Sequence, residues 1–258
     1  MLFHIGAFHI DIDSRRESFW HELAPHTRVL CAVGMVFAIA LTPNGRWWTW
    51  GIYGVAVLSL ILASRVTLPV LLHRVAVEFV FIGVVILGTL FRDGGEVYWS
   101  WGIFRVTSEG LAALGSVALK ALLSLLTVNV LVLTTSIADL LRAFVTLKMP
   151  PLLVAIIASM VRYIALLVDE FTSMRRAALS RNLMGSPNWQ RLVVGNMIGA
   201  LFIRTFDRGE RIYQAMLSRG YTGLLPAIDT PKTRSIDVIF VISVVLLILI
   251  GQMSYLLR

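Results

Sequence analysis

Apolar residues in this chain fall in long unbroken runs separated by short polar joints, a pattern matched to a bilayer rather than to a soluble core. Five runs, 29–45, 47–64, 75–91, 111–134 and 238–256, hold almost no charge, and each is close to the roughly 17–25 residues a helix needs to cross about 30 Å of hydrocarbon. They predict five transmembrane helices. The third is the least regular. Glu78 falls in its first turn, where a charged head stays within reach of the interface, and Pro69 ahead of it suits an oblique start.

The segment 135–235 keeps a helical period but is amphipathic. Residues 135–147 predict a short helix; Pro150-Pro151 then breaks the chain and starts a long one running to about Leu183, because proline is tolerated in the first turn and not beyond it. At about 1.5 Å per residue that helix is roughly 50 Å long. Ser159, Arg162, Asp169, Ser173, Arg176 and Ser180 recur along it at heptad-compatible steps, leaving a broad apolar face. Ser186-Pro187-Asn188 predicts a turn and a fresh helix start, and a second long helix extends from Trp189 to about Arg219. Gly195, Gly199 and Gly209 punctuate it, with Phe202, Phe206 and Tyr213 spaced along one face; small residues at such steps let another helix approach closely. The expected fold is therefore an all-α integral membrane protein of five spans plus a module of one short and two long amphipathic helices, divided as 1–134, 135–235 and 236–258.

The two long helices end on nearly the same string, Ala177-Ala178-Leu179-Ser180-Arg181-Asn182 and Ala215-Met216-Leu217-Ser218-Arg219-Gly220. Each places an arginine in the last turn and, just beyond it, a residue suited to a left-handed cap. For one copy, complementing the helix dipole is explanation enough. Two matching basic tips on one segment suggest a pair of docking points, so Ser180, Arg181, Asn182, Ser218, Arg219 and Gly220 are the candidate contact residues, with Gly195, Gly199 and Gly209 as candidate packing positions.

Composition supports the membrane class: 57% of the 258 residues are hydrophobic, 15% are charged, and the mean hydropathy is +0.80. A formal net charge of +8 would raise nucleic-acid binding in a soluble protein, but no soluble binding module surrounds these arginines. Topology accounts for them instead. Of 23 lysines and arginines, 13 lie in 135–235 against 6 acids, which puts this segment in the cytoplasm by the positive-inside tendency. Counting back through four spans puts the N-terminus, with Arg15, Arg16 and Arg28, on the same side, together with the Arg65 and Arg74 loop. Outside lie Arg46 in the Pro43-Asn44-Gly45 turn and a loop whose Tyr98, Trp99 and Trp101 suit the membrane interface. Residues 149–168 are nearly long enough to cross as well, but a crossing there would carry Arg175 through Arg234 outside, against the charge rule. The two long helices are expected to lie against the bundle with their tips in the cytoplasm.

Residues 1–20 carry His4, His9, Asp11, Asp13, Arg15, Arg16 and Glu17 without an apolar core of signal-peptide length, and the first 27 residues are expected to be a mature polar or interfacial segment. Cys31, the one cysteine, is expected to be a small buried apolar residue.

With these motifs in order, the chain resembles the transmembrane coupling subunit, or T component, of energy-coupling factor transporters, a branch of the ATP-binding-cassette importers. That family carries a pair of Ala-Arg-Gly motifs at the ends of two long coupling helices. Here Ser218-Arg219-Gly220 differs at the first position and Ser180-Arg181-Asn182 at the first and third. Leu23-Ala24-Pro25-His26-Thr27-Arg28 is similar to the family's Leu-Asp-Pro-Arg-Thr-Lys, without its acid. Leu41-Thr42-Pro43 with Trp47-Trp48, Leu133-Thr134-Thr135, Asp139-Leu140-Leu141 and the run from Asp169-Glu170 to Arg176-Ala177 resemble the cobalt-type, CbiQ-like branch. The resemblance implies two cytoplasmic ABC-type ATPase subunits and a separate membrane-embedded substrate-binding subunit as partners, a cytoplasmic (inner) membrane location, and import of cobalt, with nickel or a vitamin as alternatives. It also implies that Arg181 and Arg219 insert into acidic grooves of the ATPases.

The residues themselves fit a non-catalytic subunit without a cofactor. No phosphate-cradling glycine loop with its lysine is present. The only cluster with metal-ligand character, His4, His9, Asp11 and Asp13, lies at the terminus and is read as incidental; His21, His26 and His73 are read as interfacial polar groups. Asp169-Glu170 is read as helix surface or an ion pair with Ser173, Arg175 or Arg176. Lys120 and Asn129 are the polar residues of the fourth span, and for Lys120 contact with a partner subunit and snorkelling to the interface stand level. A membrane scaffold or an integral membrane enzyme remains the alternative class, though neither a nucleophile with its base nor clustered acids emerge.

Overall fold

The computed structural model describes residues 18–45, 47–88, 97–101, 104–183, 185–221 and 234–256; the His4, His9, Asp11 and Asp13 cluster lies outside them. In chain order the elements are α1 Phe19–Glu22, α2 Pro25–Leu41, α3 Trp47–Ser64, α4 Leu68–Gly88, β1 Val97–Trp101, β2 Phe104–Thr107, α5 Ser108–Thr134, α6 Ile137–Thr146, α7 Pro151–Ser180, α8 Pro187–Ser218 and α9 Ser235–Leu256. The five expected spans appear as α2, α3, α4, α5 and α9, and the expected module as α6, α7 and α8. The helical membrane architecture is the one the apolar pattern predicts. By length and composition α5, α7 and α9 are each able to cross a bilayer, and α2 and α3 are shorter apolar helices.

Three details differ from expectation. The segment carrying Tyr98, Trp99 and Trp101 is an antiparallel strand pair, with Ser100 opposite Arg105 and a register shift between Val97 and Trp99. Helix α4 begins at Leu68, beside the expected start at Pro69, where the Thr67 carbonyl accepts its first amides; Glu78, expected in the first turn, is instead three turns into the helix. There Asn129 donates from Nδ2 to Glu78 Oε2 at 2.7 Å and to the Leu125 carbonyl at 3.0 Å, so the two polar residues of neighbouring helices satisfy each other. Arg28, counted above among the charges on the cytoplasmic side, is buried, with 5% of its surface exposed.

The chain divides into two compact units, 1–143 with 230–258, and 144–229. In the first, α5 is the central helix. Met35, Ala38 and Ile39 of α2, Trp50, Tyr53, Ala56 and Val57 of α3, and Leu123 of α5 form one apolar cluster; Val66, Leu71 and Val75 pack with Val130 and Leu133 in another. Hydroxyls in this apolar setting have no water to turn to and donate one turn back: Thr42 to Ala38, Ser116 to Ala112, Thr127 to Leu123 and Thr134 to Val130, all at 2.7–2.8 Å. Helix α9 reaches α3 at Gly251, where an added Cβ would stand 2.8 Å from the Tyr53 hydroxyl oxygen; an alanine there must displace the ring. Lys120 lies with Nζ 5.7 Å from the centre of the Trp50 ring. Trp50 is one turn from the start of α3, so the lysine reaches along the helix onto an aromatic face, as a snorkelling cation does. Phe37, Val55, Leu58 and Leu62 point away from these clusters and are exposed, as residues facing lipid would be.

In the second unit α7 packs on α8. Pro151 and Pro187 occupy first-turn positions of the two helices, where the missing N–H costs nothing. Glu170 of α7 receives Arg204 at 3.4 Å and Arg208 at 3.2 Å, both from α8. Its partners were expected on its own helix. Arg204 and Arg208 are one turn apart on a single face, so one carboxylate closes a fork across the helix pair.

Candidate functional site

Both repeated strings form the same cap. At the end of α7, Arg181 is the last residue near helical geometry (φ −90°, ψ 9°), and Asn182 turns left-handed at φ +52°. Leu183 N–H then reaches back to Ala178 O at 3.1 Å and Asn182 N–H to Leu179 O at 3.0 Å. At the end of α8, Arg219 has φ −92° and ψ 9°, Gly220 has φ +82°, Tyr221 N–H bonds to Met216 O at 3.0 Å and Gly220 N–H to Leu217 O at 2.9 Å. These are the six-to-one and five-to-two bonds of a Schellman cap. The serines agree too: Ser180 Oγ donates to Arg176 O at 3.1 Å and Ser218 Oγ to Gln214 O at 3.0 Å. Asparagine replaces glycine at the first tip without altering the backbone path, because its short side chain tolerates the left-handed region.

The cap consumes the orphan carbonyls of each helix end, so neither arginine is needed to satisfy them. Arg181 and Arg219 are exposed, and among the described residues neither guanidinium has an acidic partner within ion-pair distance. Each tip thus presents a rigidly based planar cation with five unspent donors, a shape suited to forked bonds with a carboxylate.

The tips cap different helices: Arg181 ends α7, six residues before α8 begins, whereas Arg219 ends α8, whose 32 residues are about 48 Å long at 1.5 Å per residue. Glu170 lies eleven residues before Arg181, and its partner Arg208 eleven before Arg219. Each tip therefore extends roughly 16 Å beyond the ionic fork.

Gly195, Gly199 and Gly209 do not join α8 to any described helix of this chain. All three are exposed, and a Cβ added to any of them would meet no atom within 4 Å. The α7 contact uses another face, which includes Arg204 and Arg208. Phe202, Ile203, Phe206 and Tyr213 are likewise exposed, so the face of small and aromatic residues is open.

No group of three or more metal-ligating side chains occurs among the described residues. Missed at the level of sequence were the Glu170 fork and the burial of Arg28 with Asp237; only Asp237, a lone acid at the start of an apolar run, gave a signal that could have been followed.

Apolar helices of bilayer length, together with a helix pair whose ends carry matching basic caps, define a helical membrane protein. Sequence relationships agree. The cobalt transport protein family CbiQ matches residues 16–229. The energy-coupling factor transporter transmembrane protein EcfT 1 of Listeria monocytogenes serotype 1/2a (strain 08-5578) is 30% identical over 219 residues, covering 80% of this chain and 82% of that one. The EcfT protein of Brevibacillus brevis (strain 47 / JCM 6285 / NBRC 100599) is 29% identical over 250 residues, 91% and 94% of the two chains. This chain belongs to the CbiQ-like transmembrane T components of energy-coupling factor transporters.

Proposed function

We propose that this protein transmits the motion of two cytoplasmic ABC-type ATPase subunits to a separate membrane-embedded substrate-binding subunit, and that the imported substrate is cobalt ion. The observation that carries this reading is the pair of matched caps, which present Arg181 at the end of α7 and Arg219 at the end of α8, both exposed and without acidic partners among the described residues. One grip for each of two ATPases fits that pairing. Nucleotide-driven closure moves the grips, and residues 135–235, lying between the spans of 1–134 and 236–258, carry the displacement to the membrane. The open face of Gly195, Gly199 and Gly209 is where a helix of the substrate-binding subunit comes close. ATP is hydrolysed by the partners, and this chain supplies no catalytic group.

The excess of lysine and arginine in 135–235 supports a cytoplasmic position for the tips and the N-terminus in the cell inner membrane. Cobalt is assigned from the description of the matching family, with nickel or a vitamin as the alternative cargo; uptake of radioactive cobalt against competing nickel and vitamins distinguishes them. Arg181→Glu or Arg219→Glu is expected to weaken ATPase co-purification and lower uptake by roughly a hundredfold, the effect of reversing a charge in a desolvated pair of about 3 kcal/mol, while the chain stays folded in the membrane. Normal uptake by the double variant would overturn the reading.

A further inference from the structure

Among the described residues only two charged side chains are buried, Arg28 and Asp237, with 5% and 1% of their surface exposed. Both belong to one junction in the first unit. Arg28 sits in the first turn of α2 and spends its guanidinium on three backbone carbonyls: Nε on Leu23 O at 2.9 Å, Nη1 on Thr134 O at 3.2 Å, and Nη2 on His21 O. Thr134 ends α5, so its carbonyl is one that the helix leaves unpaired, at the negative end of the dipole. The same residue accepts Trp20 Nε1 on its hydroxyl at 2.8 Å, and Trp20 meets Phe240 of α9 edge to face at 5.7 Å.

Asp237 faces the elbow from the other side. Its Oδ2 accepts Arg234 N–H at 2.7 Å and its Oδ1 accepts Ala24 N–H at 2.8 Å. The first bond is the reach-back of a capping box, from the third residue of α9 to its cap. The second performs the same service for α2, whose cap residue, Ala24, has no side chain to offer. One carboxylate thus caps two helices far apart in sequence. Each buried charge is met by backbone groups of two separate segments, so parting those segments would leave the charge unsatisfied in an apolar setting.

The place of this junction in the chain gives it a role. The chain passes out of the first unit within α6, shortly after Thr134, and is back in it by the start of α9 at Arg234, so the outgoing and the returning segments are both fastened to the elbow of residues 20–28. We propose that Arg28 and Asp237 are positioning residues for coupling: they tie both segments to one elbow, so that a displacement arriving from the helix tips moves α5 and α9 together. The mechanical half of this proposal rests on the coupling role above; the tie itself does not.

Backbone hydrogen exchange on the full-length chain in lipid nanodiscs tests the tie. Asp237→Ala and Arg28→Gln are each expected to speed exchange by roughly tenfold or more in both 134–139 and 234–238, since these segments open as one unit, with Arg28→Lys restoring part of the protection. Acceleration confined to the substituted segment overturns the tie; for variants that fail to fold, the isosteric Asp237→Asn supplies the same comparison. In the complex reconstituted with its ATPase and substrate-binding partners, Asp237→Asn is expected to keep ATP hydrolysis and assembly while uptake per ATP falls several-fold. Unchanged uptake per ATP overturns the mechanical half. Were the charge reversals at Arg181 and Arg219 to leave uptake intact, the coupling role would fail while the exchange result stood.

Discussion

Three residues in the second unit hold the backbone left-handed at a helix end: Lys148, Asn182 and Gly220, at φ +59°, +52° and +82°. The pattern of bonds is the same each time, since Met149 N–H reaches Phe144 O and Lys148 N–H reaches Val145 O at the end of α6. What differs is the cost. A residue with an ordinary Cβ pays about 1–2 kcal/mol for this conformation, asparagine less and glycine nothing. Lys148→Gly is therefore expected to stabilise the chain by roughly 0.5–1 kcal/mol, and Asn182→Val to destabilise it by about 1 kcal/mol through a β-branched side chain in the wrong region; thermal unfolding in detergent measures both. The cap at Asn182 was legible in the sequence because asparagine after a basic last turn is itself a stop signal. The cap at Lys148 was not, since lysine is common on any helix surface and nothing in its chemistry favours a positive φ.

At the scale of elements, prolines and glycines marked where α7 and α8 begin and end to within a few residues. The contact between them stayed hidden, because which arginine meets Glu170 depends on how two helices cross, and spacing along one helix does not encode that. With side chains 39–61% exposed on the arginine side and 20% on the acid, the fork contributes only about 1 kcal/mol; its value is geometric. Spin labels at positions 181 and 219 in a Cys31→Ala background are expected to show a clearly broader distance distribution after Glu170→Ala, measured by electron–electron double resonance, and an unchanged distribution would mean that apolar packing alone fixes the pair. The tips also differ in surroundings. Arg175, Arg176, Arg181 and Arg191 have no acid among them from 171 to 191, whereas Arg208, Arg211 and Arg219 share their stretch with Asp207 and Glu210. The first tip carries the stronger field, and its association with an acidic partner is the more sensitive to salt.

For the whole molecule, the apolar runs of bilayer length announced the helical membrane class, and the single cysteine, Cys31, which is buried, leaves room to probe the topology. Single cysteines placed at 181 and 219 in the Cys31→Ala chain are expected to react with a membrane-impermeant maleimide only from the cytoplasmic side of oriented vesicles; labelling from outside would invert the topology drawn from charge. The strand pair at 97–107 escaped the sequence because aromatic residues in a short loop serve an interface and a strand equally well. So did the Arg28 and Asp237 junction, for a burial that brings residues 28, 134 and 237 together is a product of tertiary packing. The continuous 32 residues of α8 have one more consequence. A rigid rod of fixed length cannot shorten; were partners to hold the chain at Arg219 and near the start of α8, as proposed above, their approach could only swing it. Bringing the ends of a straight helix closer by about a tenth along the original line turns it through roughly 25°, so under that proposal a modest approach of the grips becomes a large rotation of whatever rides on the helix.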